Sequence, residues 1–599
     1  MTAETLPVPG VESVPLWLGP PERPLFAWLD VPDDGVAAVA VVICPSMGLE
    51  AAYSVRALRD LSHRLARARC ATLRFDYAAT GDSVGTWRDP DLVAEWLGNI
   101  RIAIDAARAL GVARVGLVGL RVGATLAAAE LARGGPVDDV VWWDPCATGR
   151  AFLREQIALS AIRREMAIQW GVAKKGDVAD AGDEPDDGVI AAPGVVFSAA
   201  TAADLRPVAI SAGDGELASR ELVLARKGRR LERALSERLA MPHVASSEVI
   251  GQEELFGEFP STPGPTLDQI VSWLSPPGGP VATLAMPEPR LIATHREAGG
   301  PAVRERPLAL GPLRLFGVLT EPEASLPPSA PTVVFLNIGV IPHQGPARLW
   351  VELARACAAT GTARCLRVDL SGIGDSPVRP GRTEMQGFPL DALQDMADIR
   401  QAAPGESAEL ILMGVCSGAD HAIGSALAEP VGSICIVNPA MYGMRWRDDK
   451  TAALIDGEAP PEARDRPVWG ATGPLLTRVM ARLAPHKSLT RWIPAPGWWV
   501  LKRWLMTGSP AGTLERLVQS GADLFIVVGR REGRRVYRGE QRRLRSLIAG
   551  DHVRMETISH LEHSLMDRTS QERVAELFVA YVTGRAVELA DRRHPPAAG

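Results

Sequence analysis

The chain of 599 residues repeats itself, and a repeat of this length constrains the fold more than any composition can. In the first half an apolar run at 39–44 leads into Pro45-Ser46-Met47-Gly48. A helical stretch at 54–68 follows, then a strand ending Leu73-Arg74-Phe75-Asp76-Tyr77, then Thr80-Gly81-Asp82-Ser83. The second half rewrites this order: 332–337 leads into Gly339, a helical stretch at 348–360, Cys365-Leu366-Arg367-Val368-Asp369-Leu370, and Ile373-Gly374-Asp375-Ser376. Gly119-Leu120-Arg121-Val122-Gly123 answers to Gly414-Val415-Cys416-Ser417-Gly418, and Trp143-Asp144-Pro145 to Val437-Asn438-Pro439. The spacing barely drifts, with 291 residues from Gly48 to Gly339 and 295 from Gly119 to Gly414. A tandem duplication is the expectation.

Short β-branched runs alternating with Ala/Leu/Arg-rich helical stretches predict βαβ units, in which strands buried on both faces lose the alternation of half-exposed strands. Two α/β domains are therefore expected, each a mostly parallel sheet flanked by helices, at 1–275 and 308–599. A Pro/Gly-rich connector at 276–307 would join them, and 308–320 reads as the strand that opens the second sheet. In the first half, 177–187 is acidic and reads as a surface loop. In the second, about 441–519 carries six tryptophans, Trp498 and Trp499 among them, and reads as a helical lid with an apolar inner face.

With 65 basic and 71 acidic side chains and a net charge of −6, the chain has no global field for gripping nucleic acid. Seven cysteines without a CxxC pair argue against zinc and against a disulfide framework, and fit a reducing compartment. Residues 1–20 have neither a basic stretch nor an apolar run, and 492–506 is broken by Pro494, Pro496, Lys502 and Arg503. No transmembrane segment and a cytoplasmic location are expected.

A Gly-x-X-x-Gly sequence between an apolar strand and an Ala-rich helix makes a turn so tight that the central side chain is lifted above the sheet. In the second half that residue is Cys416, and a thiol at a helix N-terminus is suited to nucleophilic attack with no cofactor or metal. Chain order then asks for an acid and a histidine. Glu532, in the turn after the strand at 523–528, is the expected acid, with Asp523 and Asn438 as substitutes. His563 is the expected base, with His560 as its competitor. Backbone N–H groups of Ser417 and of the Gly339-Val340 loop are the expected oxyanion donors. His343, in the same loop, is a candidate substrate contact, as are Trp498 and Trp499. In the first half the central residue is Arg121, which cannot attack a carbonyl, and no histidine follows at 249–259. The first domain is expected to be inactive, with Arg121 either salt-bridged or holding an anion. Eight arginines between Arg530 and Arg545 read as a solvated helix face or, alternatively, a dock for an anionic partner.

Taken together, Asp369-Leu370-Ser371-Gly372-Ile373-Gly374-Asp375-Ser376, Gly414-Val415-Cys416-Ser417-Gly418-Ala419-Asp420 and Glu562-His563-Ser564-Leu565 resemble the α/β-hydrolase superfamily. More narrowly, they are similar to cysteine-elbow members among bacterial serine-aminopeptidase-like and exosortase-associated hydrolases. The resemblance implies a two-step acyl transfer in which Cys416 attacks an ester or thioester, backbone amides hold the oxyanion, and water or an alcohol resolves the acyl-enzyme. It allows an acyl carrier protein or coenzyme A as a partner. Cysteine in place of serine, Glu532 where aspartate is usual, and Arg121 in the first copy depart from the common pattern. The rival expectation is a non-catalytic scaffold built from two inactive domains.

Overall fold

The structure is a computed structural model that describes residues 6–169, 188–211, 213, 215–228, 231–257, 260–275, 280–296, 300–327, 330–381, 391–404, 410–439, 510–530, 533–534, 537, 539–559 and 561–593. In the first domain nine strands form one sheet: β1 (Leu6–Val8), β2 (Val11–Leu18), β3 (Leu25–Pro32), β4 (Val39–Cys44), β5 (Cys70–Phe75), β6 (Arg114–Leu120), β7 (Val137–Trp143), β8 (Ala218–Ala225) and β9 (Val244–Glu248). The second sheet uses β10 (Ala293–His295), β11 (Val303–Leu310), β12 (Leu315–Pro322), β13 (Thr332–Phe335), β14 (Arg364–Val368), β15 (Leu410–Val415), β16 (Ser433–Val437), β17 (Asp523–Gly529) and β18 (Val553–Ile558). The spatial orders correspond strand for strand: β1-β2-β3-β5-β4-β6-β7-β8-β9 and β10-β11-β12-β14-β13-β15-β16-β17-β18. In each sheet the first three strands run antiparallel to their neighbours and the rest are parallel. Each domain is the mostly parallel sheet flanked by helices that the sequence predicts.

Strand β4, Val-Ala-Val-Val-Ile-Cys, is buried along its whole length and has no polar face. Val39, Val41 and Ile43 pack on α1 (Leu49–Arg67) through Leu58, Leu61 and Leu65. Ala40, Val42 and Cys44 face the other way, onto Ile100 and Ile104 of α2 (Leu92–Ala109) and Leu126 of α3 (Val122–Gly134). The second domain repeats the sandwich. Val333 and Phe335 meet Trp350 and Leu353 of α4 (Leu349–Ala359) and Phe578 of α7 (Arg568–Arg593). Val334 meets Met396 and Ile399 of α5 (Ala392–Ala402) and Ile423 of α6 (Ser417–Ala428).

The expected connector is not irregular throughout. Residues 282–283 pair with 36–37 of the first domain, while β10 and most of β11 lie before residue 308 and belong to the second sheet. The expected single strand at 308–320 is instead the end of β11, a turn at Gly311–Arg314, and β12. Glu305 is what disguises β11, because a carboxylate at an inward position reads as loop. Here it is fully buried, accepting from Arg355, Arg367, His295 and Thr320.

Those arginines belong to an exchange of charge between the domains. Arg74 of β5 reaches Asp375 of the second domain at 3.1 Å, and Arg367 of β14 reaches Asp82 of the first. Arg59 of α1 donates to the carbonyls of Gly374 and Ser376 at 2.7 and 2.6 Å, and Arg355 of α4 donates to that of Asp82 at 2.7 Å. Beside this lattice Trp17, Phe26 and Trp28 pack against Phe316 and Val318, with the Trp28 and Phe316 ring centroids 4.9 Å apart. The domains thus share one buried interface.

Candidate active site

Cys416 is the single residue between the end of β15 and the start of α6. Its backbone sits at φ 52° and ψ −116°, a conformation that L-residues rarely adopt, and its N–H donates to Val437 O at 3.1 Å. The flanking glycines are sterically required. A Cβ on Gly414 would lie 2.2 Å from the Gly418 carbonyl carbon, and one on Gly418 2.6 Å from Asn337 O. In the first domain Arg121, between β6 and α3, has φ 55° and ψ −119°, and Gly123 could not carry a Cβ either, since it would lie 2.2 Å from Pro45 O.

All seven cysteines lie among the described residues, and Cys416 alone is not fully buried. Burial pushes the Cys70 thiol up to about 12, and those of Cys44, Cys146, Cys365 and Cys435 higher, which leaves them as inert core side chains.

Two hydrogen-bonded struts gather the loops around Cys416. Gly339 N–H donates to Ser417 Oγ at 2.7 Å, tying the loop after β13 to the first turn of α6. Asn438 follows Val437 and has φ 43°; its Nδ2 donates to the carbonyls of Glu562 and His563 at 3.4 and 3.3 Å. Its Oδ1 accepts from Gly529 N at 3.0 Å. Cys416 and the backbone of His563 are therefore each one hydrogen bond from the Val437-Asn438 pair, and the end of β17 is held to the same amide. The side chain of Asn438, a substitute triad acid on the sequence alone, is engaged by these backbone groups. Its matched position to Asp144, also at positive φ and also before proline, is the signal that could have found it. Beside it Glu562 accepts from Met566 N at 2.6 Å, and burial raises its carboxyl above the usual range.

Asp523 opens β17, so it lies at the far end of the strand whose other end is the acid turn, and it is paired with His552 at 2.7 Å. Glu532, His560, Trp498, Trp499, the loop at 177–187 and the lid region up to residue 509 lie outside the described residues. The arginines Arg542, Arg543 and Arg545 are exposed on a short helix, Gln541–Ile548, with Arg543 paired to Glu515.

His343 does not contact a substrate cleft. It is fully buried, with Nδ1 donating to Asp369 at 2.8 Å and Nε2 to Asp82 of the first domain at 2.7 Å. Burial would favour the neutral ring, but the two carboxylates outweigh it and raise the imidazole to about 10. It sits on an insertion: 291 residues separate Gly48 from Gly339 but 296 separate Arg59 from Arg355, so the second domain has five additional residues between. The sequence shows a loop histidine and hides the partner 261 residues away.

Arg121 resolves toward the salt-bridged reading. It is buried among Glu50, Asp144 and Glu155, with contacts of 3.3 and 3.2 Å to the first two, so three carboxylates occupy the place an anion would need. Among the described residues no group of three or more His, Cys, Asp or Glu side chains could hold a metal, and no helix is long and apolar enough to cross a membrane.

No family model matches the sequence, and no curated protein matches it. Among solved structures, the chain is similar to proline iminopeptidase from Mycobacterium smegmatis at 16% identity and a TM-score of 0.29, over 47% of this chain and 99% of that one. Est1E from Butyrivibrio proteoclasticus with ferulic acid bound gives 16% and 0.32, over 43% and 96%. The thioesterase domain from the curacin biosynthetic pathway gives 15% and 0.28, over 46% and 99%.

Proposed function

We propose that the second domain is an acyl-transfer enzyme, an ester or thioester hydrolase or an acyltransferase, with Cys416 as its nucleophile. The observation that supports it most is the conformation of Cys416: a strained, partly exposed thiol at a helix N-terminus, where all other cysteines are buried. In this reading Sγ attacks the acyl carbonyl carbon and its proton passes to His563. The oxyanion is held by the N–H groups of Ser417 and Val340, because the Gly339 N–H is committed to Ser417 Oγ. His563 then protonates the leaving alkoxide or thiolate, and water or an alcohol releases the acyl group from sulfur. Glu532 is the proposed acid that orients His563, and the tryptophans of 441–509, Trp498 and Trp499 among them, the proposed wall for an apolar acyl chain. A carrier-protein or coenzyme A thioester fits this chemistry, and a cytoplasmic setting fits seven cysteines with no disulfide. The matching sheet orders support a tandem duplication whose first copy lost its nucleophile.

A second reading has a specific observation behind it. The first domain keeps the turn of a nucleophile yet fills it with an arginine paired to carboxylates, which supports a fold kept here for a purpose other than catalysis. On that reading both domains are a scaffold. Incubation with short-chain acyl thioesters, followed by intact mass measurement, separates the two. An acyl adduct that maps to Cys416 and is lost in Cys416→Ala supports the enzyme; thioester turnover that persists unchanged in Cys416→Ala rejects it.

A further inference from the structure

The two domains do not close completely over one another. Between the strand-end loops of the first sheet and the starts of α4 and α7 lies a cavity of about 430 Å3, within the roughly 300–1,000 Å3 range of small-molecule sites. Its walls are mainly apolar, with Phe26, Trp28, Met47 and Trp96 on one side and Leu349 and Met566 on the other.

The cations on these walls are already engaged. Arg74 lies between Asp30 and Asp375, and Arg348 donates to the carbonyls of Gly81, Ser83 and Gly85. Arg88 and Arg568 both grip Glu572, with the Trp87 ring 4.2 and 4.4 Å from their guanidinium carbons. Asp76 differs. Its counterpart Asp369 accepts from Asn337, from the N–H and Nδ1 of His343, and from Asp375 N. Ser46 stands at the place of Asn337 and turns its hydroxyl to Glu50, and the insertion carrying His343 is missing from the first domain. The Asp76 carboxylate accepts from Asp82 N at 2.8 Å, and the half-buried side chain lines the cavity.

We propose that this interdomain cavity is a binding site for a mostly apolar organic amine, whose ammonium group pairs with Asp76 while its body lies against the aromatic wall. An anion would find the arginines of the wall already hydrogen-bonded to carboxylates or backbone carbonyls, whereas a cation meets a carboxyl and the faces of aromatic rings. Burial, and then the nearby Asp82 carboxylate, push the Asp76 carboxyl up to about 7; Asp375 adds to this, and His343 opposes it. An arriving ammonium group would stabilise the ionised form.

The test is calorimetric titration of the full-length protein with octylamine, octanol and octanoate at equal concentrations. Octylamine should bind tightest. Asp76→Asn should weaken it about ten- to hundredfold while leaving octanol unchanged. Ala52→Trp, on the half-buried face of α1 that lines the cavity, should abolish binding of both. Octylamine binding no tighter than octanol, or unchanged in Asp76→Asn, overturns the proposal. If Asp76→Asn fails to fold, the ligand series and Ala52→Trp still decide, since binding that survives a filled cavity places the amine elsewhere.

Discussion

Replacing His343 with glutamine should remove a specific slope from the dependence of stability on pH. In the folded protein the imidazole is buried between Asp82 and Asp369 and titrates near 10, against about 6.5 in an unfolded chain. The sign follows from proton counting. A group raised on folding gives its full stabilisation below the unfolded value, and loses it as the pH climbs to the folded one. Between about pH 7.5 and 8.5 the native state holds one proton that the unfolded state has released, so stability should fall by about 1.4 kcal/mol per pH unit from this residue. The buried thiols of Cys44, Cys70, Cys146, Cys365 and Cys435 contribute a slope of the same sign, because burial raises them too, but mainly above about pH 8.5. The thiol slope cancels in the difference between wild type and His343→Gln, which leaves the histidine together with its effect on Asp76. Urea unfolding at half-unit steps from pH 6.5 to 8.5, followed by circular dichroism, gives both curves. His343→Gln should be less stable by several kcal/mol at pH 6.5, on the order expected for stranding buried charge, and the gap should narrow as the pH rises. Parallel curves would refute the reasoning, because they would mean that His343 is neutral in the folded protein and that the two carboxylates are held by other means.

Native-state alkylation with iodoacetamide should modify one cysteine rapidly, Cys416, and Cys416→Ala should leave no fast phase; two or more fast labels by intact mass would contradict the burial pattern. Gly418→Ala puts a methyl group 2.6 Å from the backbone oxygen of Asn337, which has no room to move, and should cost about 1–3 kcal/mol in urea unfolding. Arg121→Met strips Glu50, Asp144 and Glu155 of a shared cation. It should destabilise by about 3 kcal/mol in urea unfolding at pH 7; a loss under about 0.5 kcal/mol would count against the ion cluster.

The features legible in the sequence are the local ones. The β4 run Val-Ala-Val-Val-Ile-Cys announces a strand covered on both sides, and the glycines around Cys416 and Arg121 announce a turn that no larger residue could make. The domain edge is hidden because Glu305 is a carboxylate at an inward strand position, made tolerable by Arg355, Arg367, His295 and Thr320. His343 looks like a free loop residue because its second partner, Asp82, belongs to the first domain. Asn438 stands in the expected neighbourhood and its amide ties two loops together. An amide that donates to one loop and accepts from another looks, in a sequence, like any polar residue after a strand. In each case the missing information is the identity of a partner far away in the chain.

The crossed arginines bear on inheritance. Asp82 lies in one half of the chain, but the groups that neutralise it, Arg367 and His343, lie in the other, and Arg74 depends on Asp375 in return. A mutation at any of these positions is judged by residues hundreds of positions away, so neither half can drift alone. Nor could a deletion shed the first domain, since what remained would bare Phe316 and Val318 and leave Arg367 without Asp82. Either domain can be retained in this way for as long as its neighbour is needed.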